Sequence, residues 1–120
     1  MLIRYKKAFE KIAMGLLSFM PTEKDIKQLQ QTMKNYEDDQ SWRLYLWKQE
    51  EDIIGLAGLV VKEDKIEIQH ICVNPSYRHE GIGTKIVRAL NELYVDSTIL
   101  PNEYTAGFLE QCDLEDSEEA

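Results

Sequence analysis

The sequence predicts a mixed α/β fold in which a run of antiparallel strands passes into a strand–helix–strand unit. Three observations predict it. Residues 42–49, 53–61 and 66–73 are strand-like runs rich in aromatic and branched residues, separated by the short polar turns 49–52 and 63–64. Ahead of them, apolar residues recur at intervals of three and four, the pattern of amphipathic helices. Behind them, Val73-Asn74-Pro75 breaks the last strand and Gly81-Ile82-Gly83 opens another helical pattern. The short run that follows, 95–100, is therefore expected to lie parallel to the strand ending at Val73, because a helix intervenes.

Length and charge narrow the function classes. One hundred and twenty residues suit a single domain, expected over 1–112. No stretch approaches the roughly 18 apolar residues of a membrane span, and the polar start Met1-Leu2-Ile3-Arg4-Tyr5-Lys6-Lys7 does not resemble a secretory signal. A cytoplasmic protein with no membrane partner is expected. The two cysteines, Cys72 and Cys112, are not in C-x-x-C spacing and there are only two histidines, so no metal site is expected. A formal net charge of −8 opposes general nucleic-acid binding, since the field repels phosphates. The same charge favours cationic partners, or serves only solubility.

Taken in order, residues 2–6 form a short first strand. Phe9, Ile12, Ala13, Leu16, Leu17 and Met20 then share one face of a first helix, which Pro21-Thr22 interrupts. Thr22 with Asp25 resembles a capping box at the start of a second helix, whose apolar positions are Ile26, Leu29, Met33 and Tyr36. Within the strand 53–61, Gly55 and Gly58 indicate a bulge or a close backbone approach. Strict alternation along 66–73 points Glu67, Gln69, Ile71 and Val73 one way and Ile66, Ile68, His70 and Cys72 the other. Ile82, Ile86, Ala89, Leu90 and Leu93 give a central helix that packs on the sheet, and Pro101-Asn102 opens a last helix through about Cys112. Residues 113–120 carry five carboxylate side chains and almost no apolar ones, the composition of a disordered tail.

The stretch from Val73 to Thr84 carries most of the functional signal. A helix N-terminus presents backbone N–H groups without intrahelical partners at the positive end of the dipole, which suits a phosphate. Gly81 and Gly83 let a ligand approach the backbone closely. The dinucleotide fingerprint fails, because Ile86 stands where it needs a small residue. The kinase-type P-loop fails as well, because Gly83-Thr84-Lys85 is not Gly-Lys-Thr. What remains is Arg78-x-x-Gly81-x-Gly83 after a strand ending in Val73 and Pro75, and this resembles the acyl-CoA-binding motif of the GNAT superfamily of N-acetyltransferases. The order of elements resembles that superfamily over nearly the whole chain. It is C-terminally shortened, lacking the two further strands that usually fold back beside the acceptor.

The resemblance implies a GNAT acyl-CoA N-acyltransferase fold, acetyl-CoA as cosubstrate and an amine acceptor. It places the pantetheine arm along the strand edge at Ile71, Cys72 and Val73, held by backbone groups of Ile71 and Val73. The diphosphate would meet the backbone of Arg78, His79, Glu80, Gly81, Ile82, Gly83 and Thr84, in surroundings where Arg78, His79, Lys85 and Arg88 outweigh Glu80. Asn102 matches an asparagine near the pantetheine. Glu67, eleven residues before Arg78, matches the general-base glutamate of histone-type members. A base is useful because neutralising a lysine-like ammonium at pH 7 is uphill by roughly 4–5 kcal/mol. The backbone N–H of Val73 would stabilise the oxyanion. The tyrosine that usually protonates the leaving thiolate is matched by Leu109, with Tyr104 one turn away. Departure as thiolate is uphill by only about 2 kcal/mol, so this loss slows catalysis without forbidding it. His70 and Cys112 read as structural residues.

The whole chain also resembles acetyltransferase-like proteins encoded with bacterial riboflavin-synthesis genes, which implies a metabolic setting. The shortened C-terminus leaves the acceptor pocket open or completed by a homodimer. The alternative function is a non-catalytic acyl-CoA sensor.

Overall fold

The computed structural model describes residues 1–23 and 25–111. Five strands form one sheet in chain order: β1 (Leu2–Arg4), β2 (Trp42–Gln49), β3 (Asp52–Lys62), β4 (Lys65–Val73) and β5 (Thr98–Pro101). The first four pair antiparallel and β5 joins β4 in parallel, as the intervening helix predicts. The two hairpins close at Gln49↔Asp52 and Lys62↔Lys65. Their two-residue turns force positive φ on Glu50 (56°) and Glu63 (43°), the geometry that matches strand twist.

Helices cover both faces of the sheet. On one side lie α1 (Glu10–Leu17), entered through a 3₁₀ turn at Lys7–Phe9, and α2 (Ile26–Asp38). Leu16, Leu17, Met33 and Tyr36 pack there on Leu44, Leu46 and Leu56. On the other side α3 (Ile82–Leu93) buries Ile82, Ile86 and Leu90 on Ala57, Leu59, Ile68 and Ile71. A final helix, α4, includes residues 106–111. Cys112 and the acidic run 113–120 lie outside the described residues.

Several expectations are corrected. The first strand stops at Arg4 and α1 at Leu17. Asp25, not Thr22, is the N-cap of α2, accepting a hydrogen bond from the Gln28 N–H at 2.8 Å. Aspartate three residues before that donor has the reach the cap requires. Ile26 is exposed, at the helix's first turn.

The most consequential correction is on β4. His70 pairs with Gly58 and Ile68 with Leu59, so Gln69 is an extra residue opposite a single step of β3. This bulge resets the alternation. Ile66, Ile68, Ile71 and Val73 all pack in the cluster that α3 covers, whereas His70 and Cys72 face α1 and α2; Glu67, between Ile66 and Ile68, falls on the face opposite theirs by alternation. The strict alternation had put Glu67 with Ile71 and His70 with Ile68.

Candidate functional site

The site begins where β4 and β5 part. Their ladder runs from Lys65↔Thr98 to Ile68↔Pro101 and stops at the bulge. Beyond it, side chains at the start of α4 wedge the strands apart. The Thr105 hydroxyl donates to the Ile68 carbonyl at 3.0 Å, and the Asn102 amide donates to the Gln69 carbonyl at 3.4 Å. The Asn102 carboxamide oxygen also accepts from the N–H groups of Tyr104 and Thr105, both at 2.9 Å, which caps the turn into α4.

Past the wedge, β4 has a free edge. The Asn74 N–H donates to the Ile54 carbonyl at 2.8 Å. With the period of two in an antiparallel ladder, Cys72 also turns its backbone toward β3, and Ile71 and Val73 turn theirs to the gap. The gap is a cavity of about 410 Å³. Ile71, Cys72 and Val73 form its floor, and Tyr77, Arg78, His79 and Gly81–Gly83 form one end. Phe19, Met20 and Pro21, in the connection after α1, form one wall; Tyr104, Phe108 and Gln111 form the other.

The glycine-bearing end is shaped by backbone geometry. Asn74 caps a 3₁₀ turn at Pro75–Tyr77, its side chain accepting from the Ser76 N–H at 2.9 Å. The chain then passes through two left-handed residues, His79 (φ 67°) and Gly81 (φ 74°), before α3 starts. Gly81 is the N-cap and gives no side-chain cap, so the first N–H groups of α3 have no capping side chain. The first intrahelical bond runs from the Lys85 N–H to the Gly81 carbonyl at 3.1 Å. Left-handed turns followed by a helix start make a concave array of N–H groups suited to an anion. Arg78, His79 and Glu80 are exposed around it, as are Lys85 and Arg88, whereas Thr84 is buried and its side chain is not part of the cavity wall.

The candidate catalytic groups divide. Val73 is at the floor and Tyr104 at the rim, about half exposed (52%). Its phenol pKa is raised by hydrogen bonding and proximity to Glu103. Leu109, the residue expected to stand for the usual tyrosine, is partly buried against the core cluster that includes Ile82, Ile86 and Leu90 and does not line the cavity. Glu67 lies where the β4–β5 ladder is still closed, opposite Leu100 and outside the cavity lining. Its carboxylate accepts from the Gln69 amide and pairs with the Lys62 ammonium at 3.3 Å. His70 is buried with both ring nitrogens engaged: Nδ1 lies 2.5 Å from the Tyr36 hydroxyl and Nε2 lies 2.7 Å from the Glu23 carboxylate. Cys72 donates to the Leu16 carbonyl at 3.1 Å, and burial pushes its thiol up to about 12 despite Arg78 nearby.

The sequence reading missed the Phe19–Pro21 wall, Tyr77, Phe108, Gln111 and the buried partner Glu23. Phe19 and Met20 look like ordinary apolar residues at a helix end, and nothing local marks Glu23 as buried. No group of histidine, cysteine and carboxylate side chains able to hold a metal ion occurs among the described residues. No helix among them is long and apolar enough to cross a membrane.

The sequence profile of the Acetyltransferase (GNAT) family matches residues 10–113. An uncharacterized N-acetyltransferase from the lysA 3′ region of Bacillus methanolicus is 65% identical over 115 residues, spanning 95% of this chain and 96% of its own. Many solved structures share the fold, among them the two that follow. An IAA acetyltransferase from Bacillus cereus superposes with a TM-score of 0.68 at 22% identity, covering 96% of this chain and 73% of its own. A GNAT family acetyltransferase from Elizabethkingia anophelis, solved with acetyl-CoA bound, gives 0.69 at 18% identity, with the same coverages of 96% and 73%.

Proposed function

Because the chain belongs to the acetyltransferase (GNAT) family, we propose that it transfers the acetyl group of acetyl-CoA directly to a primary amine. One observation carries this reading: a free strand edge at Ile71 and Val73 and an uncapped helix start at Gly81 open into the same cavity. A pantetheine arm needs strand-like backbone partners between apolar walls, and a diphosphate needs convergent N–H donors. The two features supply one each.

On this reading Ile71 and Val73 bind the arm, with Cys72 lining its path, and the backbone from Arg78 through Thr84 receives the diphosphate. Asn102 acts by holding the strands apart. The Val73 N–H stabilises the oxyanion as the amine attacks the thioester carbonyl. Glu67 takes the proton of the incoming ammonium, through water given its place below the cavity, and Tyr104 returns one to the departing thiolate. The reading includes one domain over 1–112, a cytoplasmic location, the metabolic setting implied by the resemblance to riboflavin-operon acetyltransferase-like proteins, and a second copy beside the open acceptor side. The sensor alternative is not favoured, since the matched family is one of enzymes.

Calorimetry with acetyl-CoA tests binding, and CoA release over a panel of amines tests turnover. Gly81→Val and Gly83→Val should weaken acetyl-CoA by at least about 100-fold, roughly 2.7 kcal/mol. Unchanged affinity in both would refute the diphosphate assignment, and absence of CoA release with every amine would refute transfer.

A further inference from the structure

Behind the cavity wall lies a chain of buried polar groups that the transfer reaction leaves unused. Glu23 is 3% exposed and His70 5%, and they meet at 2.7 Å. The Thr32 hydroxyl of α2 lies 2.9 Å from each carboxylate oxygen of Glu23, and the Tyr36 hydroxyl of α2 closes the other side of the imidazole. The groups come from three places: the connection after α1, helix α2, and the bulged part of β4. Glu23 is tied directly to the wall, because its N–H donates to the Met20 carbonyl at 3.1 Å. Met20 and Phe19 are in turn bound back to Leu17 and Leu16, at 2.9 and 3.1 Å.

We propose that Glu23 and His70 are positioning residues that latch the Phe19–Pro21 wall to β4 beside Ile71, and so set the width of the cavity where the pantetheine arm and the acceptor meet. The bulge is what makes the latch available. Without the extra residue at Gln69, His70 would point toward α3 and leave Glu23 buried with only threonine hydroxyls as partners. A buried carboxylate without donors is strongly disfavoured, so the connection holds its fold only while His70 and Thr32 stay in reach. Neither ring nitrogen of His70 is open to substrate, which separates this role from that of a catalytic base. The inference rests on the acetyl-CoA reading for the ligand's identity but not for the existence of the latch.

Two measurements on the full chain decide it. Hydrogen exchange should show the amides of residues 18–23 exchanging at least about tenfold faster in Glu23→Gln and in His70→Asn, with β3 protection unchanged. By calorimetry the same variants should lose about tenfold or more in acetyl-CoA affinity. Affinity for ADP, which carries the diphosphate without the arm, should stay within about twofold. Equal loss for both ligands, or unaltered exchange in 18–23, would overturn the latch. Should both variants unfold, Thr32→Val removes only one donor to Glu23 and must still raise exchange in 18–23, or the proposal fails. If the unaltered protein does not bind acetyl-CoA, the proposed function falls, while the exchange data still decide the latch.

Discussion

The hydroxyl of Tyr36 occupies the space that a side chain at Gly58 would need: a Cβ built there lies 1.9 Å from that oxygen. Gly58 sits directly across β3–β4 from His70, so the glycine opens the slot through which α2 reaches the imidazole. Its absence of a side chain is thus tied to the polar network, not to a turn.

Gly58→Ala should therefore destabilise the protein by about 1–3 kcal/mol, since Tyr36 is fully packed and can yield only by leaving His70. Urea denaturation measures this. A double variant with Tyr36→Phe, which removes the clashing oxygen, should recover part of the loss. Equal stability of Gly58→Ala and the unaltered protein would show that α2 is free to shift.

Stability should also report the state of Glu23. Burial pushes its carboxyl pKa up, but hydrogen bonds from His70 and Thr32 outweigh this and hold it below the ordinary 4.5. A carboxyl whose folded pKa is depressed contributes stability above its unfolded pKa and loses it as pH falls through the folded one. The unaltered protein should thus lose stability steeply below about pH 4.5, and Glu23→Gln should show a shallower slope there. Denaturation midpoints between pH 3 and 6 check it; parallel curves would remove Glu23 as the source.

Cys72 is expected to be inert although it lines the cavity. The thiolate is the reactive form, and with its pKa pushed up to about 12 the thiolate fraction at pH 8 is on the order of 10⁻⁴. In a chain with Cys112→Ser, so that one thiol reports, iodoacetamide labelling should be at least about 100-fold slower folded than unfolded. Labelling at the unfolded rate would contradict the buried, hydrogen-bonded thiol.

Glu67 and Tyr104 should separate kinetically from the binding residues. Glu67→Gln should lower kcat by about 10²-fold or more, the usual contribution of a general base, with acetyl-CoA affinity unchanged. Tyr104→Phe should lower kcat by no more than about 30-fold, the equivalent of the roughly 2 kcal/mol of thiolate departure. Steady-state rates with any accepted amine provide the readout. A Glu67→Gln enzyme of full activity would assign the proton to water alone.

The fold was largely legible because its determinants are periodic. The strands announced themselves by composition and the helices by apolar spacing, and Pro75, Gly81 and Gly83 marked the strand-to-helix junction. Alternation misled at Gln69, since a bulge is created by a mismatch between two strands and leaves no mark in either alone. Asn102 stood out in the sequence, but its work, wedging β4 from β5, depends on a partner carbonyl distant in sequence. Nothing in the sequence around Glu23 marks it as buried; only the meeting of α2, β4 and the connection buries it. Residues whose roles depend on one element were readable, and those whose roles depend on the juncture of three were not.

The order of strands in the sheet repeats their order in the chain, and this bears on how the cavity comes into being. β2, β3 and β4 are joined by two-residue turns, so their pairing requires little loop closure and can form early. β1 and β5, the outermost strands, must return across the two-helix connection and across α3 respectively. The gap between β4 and β5 should thus be framed late, when α3 docks and Asn102 and Thr105 reach the β4 carbonyls. Pulse-labelled refolding should protect β3 amides before those of β5, and simultaneous protection would speak against this sequence of events.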